Sequence, residues 1–213
     1  MNLIDMNYYL SFGLVMGLAA GLAPGPLLAL VVSETLKHGI NAGVRVSLAP
    51  IVTDAPIVVV VLLVVNQVSR FDYVVGVLSL LGCLYVLYMA YDTAVCKEST
   101  TPDTEASSNS LTRGVITNVL SPHPYLFWLT VGAPAIIKSA NVSSIAPVLF
   151  IVGFYLPLVG SKVILALVVG RYRAALNDKR YRNIMRFLAL LLLIFAVFLF
   201  FDGLKLLGLY EIS

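Results

Sequence analysis

The chain has 213 residues, of which 60% are apolar and only 12% charged, with a formal net charge of +3; soluble domains run at roughly 45–50% apolar and about 25% charged. One aqueous core of this size cannot bury so much apolar surface, so an ordinary soluble domain is excluded. The composition predicts an all-α integral membrane protein with the lipid bilayer as a partner.

The N-terminus, "MNLIDMNYYL", carries an acidic residue and no basic stretch, so no cleaved signal peptide is expected. Six apolar runs are long enough to cross a bilayer as helices, near 8–34, 45–66, 72–92, 112–137, 144–169 and 184–208. The loops after the first, third and fifth runs hold Lys37, Arg45, Lys97, Arg113, Arg171, Arg173, Lys179, Arg180, Arg182 and Arg186. The opposite side holds Arg70, Lys138 and Lys205, and Lys162 lies inside the fifth run. The positive-inside rule then puts the basic loops in the cytoplasm and both termini outside, in a multi-pass protein of the cytoplasmic membrane. The net charge reflects this topology and gives no sign of nucleic-acid binding.

In the first run, Gly13, Gly17 and Gly21 form a small-residue face for close helix approach, and "GLAPGP" (21–26) interrupts the helix. Asp54 sits near the middle of the second run, in "IVTDAPIV". A carboxylate at that depth costs about 2.5–3.5 kcal/mol on insertion scales, so it normally faces a cavity or a partner. Gly76 and Gly82 of the third run are packing residues, as is Cys83; the second cysteine, Cys96, is too distant for a disulfide framework or a metal site. The polar stretch "KESTTPDTEASSNS" (97–110) reads as a linker between a first unit at 1–96 and a second at 112–213, with 97–111 between them.

The fourth run is interrupted by "LSPHP" (120–124), and the fifth carries Lys162 in "LVGSKVIL". Lys162 either pairs with Asp54 or snorkels toward the headgroups. Tyr8, Tyr9, Trp128 and Tyr210 read as interfacial or packing aromatics, and "NVS" (141–143) matches a glycosylation sequon.

The two units echo each other. "LAPGPLL" (22–28) aligns with "LSPHPYL" (120–126) at an offset of 98, and "LAPIV" (48–52) with "IAPVL" (145–149) at 97. A repeat of three spans enters the membrane the opposite way up, the inverted plan of many secondary transporters. Both breaks then lie roughly 14–16 Å deep, near the midplane of a ~30 Å core. Each is either a repaired proline kink or a site. As a site, Pro26 and Pro124 would open new half-helices whose free amides suit a carboxylate, with Pro24, Gly25 and Pro122 shaping the turns. His123 is a proton relay or a satisfied turn residue. Asp54 is the stronger proton carrier, and Asp54, His123 and Lys162 are the candidate ion-coupling groups.

These motifs resemble the LysE/RhtB amino-acid exporter superfamily. "APGP" followed by "SETLKHGINAGVRVSLA" is similar to its opening, with Gly39 and Gly43 at the cytoplasmic turn. Thr53–Asp54 resembles an "SD" of its basic amino-acid exporters, and "LSPHPYLF" their "LNPHVYLD", matching at Pro122, His123, Tyr125 and Leu126. The resemblance implies export of a small amino acid or similar metabolite, coupled to protons or another ion, with Tyr125 joining the substrate-binding set. It implies neither cofactor nor catalytic residue, and leaves self-association as a homo-oligomer open. Ser121 and Phe127 depart from the family's Asn and Asp, which argues against lysine or arginine as substrate. The alternative is a membrane enzyme or thiol-redox carrier; against it, the breaks carry no cysteine.

Overall fold

The fold is that of a computed structural model describing residues 3–64, 68–95, 109–173 and 178–209, where all regular structure is helical. Most of the expected linker lies outside the described residues, as do Cys96 and Tyr210.

The first apolar run folds as α1 (Leu3–Leu22) and α2 (Pro26–His38), bent by 62° across the break. Pro24 disfavours helical geometry at Ala23. Gly25 is extended and accepts the Ala29 N–H at 3.1 Å, while Pro26 takes the first helical position, where its missing N–H costs nothing. Gly39 ends α2 with φ +92°, a conformation open to glycine at little cost. Next come α3 (Ile40–Ser47) and α4 (Ala49–Val64), joined through a helical Leu48, and α5 (Val68–Val95).

The fourth run departs from expectation. It divides into α6 (Ser110–Val119), α7 (Pro122–Phe127), a π-helical turn (Trp128–Gly132) and α8 (Ala133–Ala140). Its second half-helix begins at Pro122 rather than Pro124. Ser121 precedes a proline and is extended, with ψ 135°, so the helix can restart one residue later. The chain ends in two long helices, α9 (Ala146–Arg173) and α10 (Asp178–Leu206).

Among the described residues, four segments are long and apolar enough to cross a membrane: Ile40–Val61, Val75–Val95, Ala146–Arg173 and Lys179–Leu206. The bent α1–α2 pair makes a fifth. The expected sixth is absent as a single helix because the break and the π turn divide it.

Helix α1 packs along α9 and α5 along α10; α6 and α7 pack on α4, and α2 contacts α3, α6, α9 and α10. Lipid supplies no hydrophobic drive between helices, so close backbone approach must hold them. Gly13, Gly17 and Gly21 provide it: a Cβ there would strike the Phe150 carbonyl, the Phe154 carbonyl and the Ser161 hydroxyl of α9. Gly76 lies close to the Leu207 side chain and the Gly203 carbonyl, both of which a Cβ would crowd.

Polarity is distributed inside out. Leu84, Leu156, Ile164, Phe187 and Phe198 are exposed, whereas Glu34, Asp54, Asn118 and Lys162 are buried. This distribution and the apolar helices mark a multi-pass membrane protein.

Gly17→Leu should lower stability by about 1–3 kcal/mol, the usual cost of overpacking. Thermal unfolding in detergent checks this, with Gly160→Leu as a control expected not to lower the midpoint, since no atom beyond its chain neighbours and own helix backbone lies within 4 Å of a Cβ at Gly160.

Candidate functional site

A helix broken in the interior of a fold leaves carbonyls that need partners. At the first break the Lys162 ammonium donates to the Gly21 carbonyl at 3.2 Å and to the Leu158 carbonyl of its own helix at 3.4 Å. At the second the Tyr125 hydroxyl donates to the Val119 carbonyl at 2.9 Å. Gly21 and Val119 are equivalent positions under the offset of 98. Each upstream half-helix thus has a terminal carbonyl capped by a side chain.

Between the breaks lies a cavity of about 260 Å³. Of the residues the sequence singles out, Pro24, Gly25, Pro26, Asp54, His123, Pro124 and Lys162 line it. Pro122 and Tyr125 do not; Tyr125 turns its hydroxyl back to the chain it caps. His123 is exposed, with Nδ1 3.5 Å from the Ser121 hydroxyl.

Asp54 and Lys162 are each only 4% exposed. No ion pair joins them, and Lys162 does not snorkel, because its ammonium is held at the first break. Asp54 Oδ1 instead accepts from the Asn118 amide at 3.0 Å and lies 3.3 Å from the Thr53 hydroxyl. The same amide nitrogen is 2.6 Å from the Thr53 oxygen. Trp128 and Tyr155 stand close to the carboxylate as well. The Trp128 indole N–H, although near, meets no acceptor at hydrogen-bond geometry. An unpartnered buried donor is uncommon and costly.

Asn118 and Trp128 are the residues sequence reasoning missed. Trp128 reads there as a packing or interfacial aromatic, yet it is 1% exposed and lines the cavity. It stands at the start of the π turn, a feature frequent at functional sites that only the backbone reveals. Gly132, one turn on, leaves room for the indole; a Cβ there would strike the ring. Asn118 could have been found as a polar residue four positions before Pro122. Phe127 and Phe154, stacked at 4.6 Å, form an apolar wall. Among the described residues no group of three or more His, Cys, Asp or Glu is placed to hold a metal.

Fold and cavity together define a polytopic membrane protein with buried, mutually unpaired charges facing an internal space. The model of the LysE type translocator family matches residues 18–203, and the chain belongs to that family. No match was found among curated proteins or among solved structures. Family membership makes the protein a transporter-type membrane protein and lends no support to the enzyme or redox-carrier alternative.

Tyr125→Phe should lower stability by about 1 kcal/mol, the usual worth of one hydrogen bond, and leave the half-saturating substrate concentration unchanged. Thermal unfolding and transport assays on the same preparation check both parts; a raised half-saturating concentration would return Tyr125 to the substrate-contacting set.

Proposed function

We propose that the protein is a gradient-driven exporter of small amino acids or related metabolites. The observation that carries this reading is the placement of one carboxylate and one ammonium, from opposite halves of the chain, in a single cavity without an ion pair between them. A zwitterion offers the complementary pair. An ammonium has three hydrogens, and among the described residues two acceptors, the Gly21 and Leu158 carbonyls, face the one on Lys162. The third hydrogen serves the substrate carboxylate, aided by the N-terminus of α2. Asp54 carries the coupling proton or meets the substrate's amino group.

The cavity volume of about 260 Å³ lies below the ≈ 300–1,000 Å³ usual for drug-sized ligands, which suits a small solute. The apolar wall at Phe127 and Phe154 favours a neutral side chain over a cationic one. In this reading 110–140 forms the sixth crossing, and the units 1–96 and 112–213 are inverted copies joined by a cytoplasmic linker. The helix pairing supports it: α1 on α9 and α6–α7 on α4 are exchanged by the proposed two-fold, and α5 on α10 is its own counterpart. Both termini face outside, the breaks lie at midplane, and the halves rock about the cavity.

Asp54→Asn should abolish gradient-driven efflux from proteoliposomes while the protein still inserts and folds. Efflux at the wild-type rate would remove the coupling role from Asp54. A wild-type protein that moves none of the twenty amino acids would remove the substrate class.

A further inference from the structure

The basic residues that set the topology also build a closed charge network. The Glu34 side chain of α2 is 1% exposed, yet its carboxylate accepts from the Ser110 hydroxyl at 2.6 Å and from Arg113 Nη1 of α6 at 3.0 Å. The same Arg113 nitrogen lies 3.1 Å from Asp92 Oδ2 of α5. Lys37 of α2, with a side chain 3% exposed, reaches that oxygen at 2.9 Å. Arg173, at the end of α9, donates to the Lys37 carbonyl at 3.1 Å. Glu34, Lys37, Asp92 and Arg113 sum to zero charge, and with Arg173 they tie four elements from both halves.

The position of this network decides its meaning. Helix α2 starts at the cavity with Pro26, and Glu34 and Lys37 follow 8 and 11 residues later, about 12 and 16 Å along the axis. Helix α6 runs toward the cavity, and Arg113 precedes the lining residue Asn118 by five residues, about 7.5 Å. The Arg113–Glu34 pair therefore crosses directly between the two half-helices on the side of the basic loops, and Asp92 of α5 bridges them a second time through Arg113 and Lys37. Resting on the transporter reading above, we propose that Glu34, Lys37, Asp92 and Arg113 form the cytoplasmic gate of the cavity, shut in this structure.

Burial explains how such a gate works. Glu34 and Lys37 sit in the dry interior, whereas the side chains of Arg113 and Asp92 are 31% and 35% exposed. A buried charge can lose its partner only when water replaces it. The pairs therefore separate together with the opening of a wet path from this face, and they hold while it is closed. The rim partners are already hydrated, so they need little further solvation when the halves part. Salt screens the exposed pairs and weakens the closure.

The test reads access to the cavity and needs no substrate. Leu28, which lines the cavity, is replaced by cysteine in a Cys83→Ser, Cys96→Ser background. A membrane-impermeant maleimide is then applied to the full-length protein in oriented vesicles, from each face in turn. Labelling from the basic-loop face should be slow. Asp92→Asn, which removes the negative charge shared by two ion pairs, should speed it by about tenfold or more, as should Arg113→Gln, and 1 M salt should speed it without any substitution. Labelling from the other face should not rise. Equal rates in the parent and in a folded Asp92→Asn protein would overturn the gate and leave a structural fastening. If both variants fail to fold, an absence of any salt effect on the parent would overturn it. A protein that moves no amino acid but shows network-dependent labelling refutes the substrate reading alone.

Discussion

A broken helix leaves open carbonyls that need partners, and the architecture follows from meeting that constraint at two breaks. The Lys162 ammonium meets it for Gly21 and the Tyr125 hydroxyl for Val119. With a side chain capping each upstream half-helix, the chain can carry two interruptions and a cavity between them. The glycine face of α1 supports the same end, since only a close approach to α9 brings Lys162 within reach of the Gly21 carbonyl. Packing and chemistry are joined here by backbone proximity.

Much of this plan was legible in the sequence. The composition and the long apolar runs required membrane helices, and "GLAPGP" located the first break, with Pro26 opening α2. Gly13, Gly17 and Gly21 read correctly as a packing face because glycine at every fourth position has few other uses in such a helix. The second break was seen but placed two residues late, since two prolines compete for one helical start and only backbone geometry at Ser121 decides between them.

The rest depended on contacts between distant residues, which no local pattern encodes. Asn118 looks like any polar residue near a helix end until the fold sets it 3.0 Å from Asp54. Trp128 reads as an interfacial or packing aromatic, and only the fold shows that it is buried at the start of the π turn beside the cavity. Lys37 and Arg113 were counted as loop charges, a use that depends on number alone. Their pairing with Glu34 and Asp92 is a property of four helices at once. Counting charges along the chain therefore yields an expected orientation but not these connections.

Gly82 of α5 gives the second break a mechanical character. A single methyl there would strike the Leu120 carbonyl, so α5 rests against the backbone at the interruption itself. Helix α5 is in turn bound along its length to α10. Any displacement of Leu120 in that direction would have to carry α5 and α10 with it, so the close contact braces the interruption from that side.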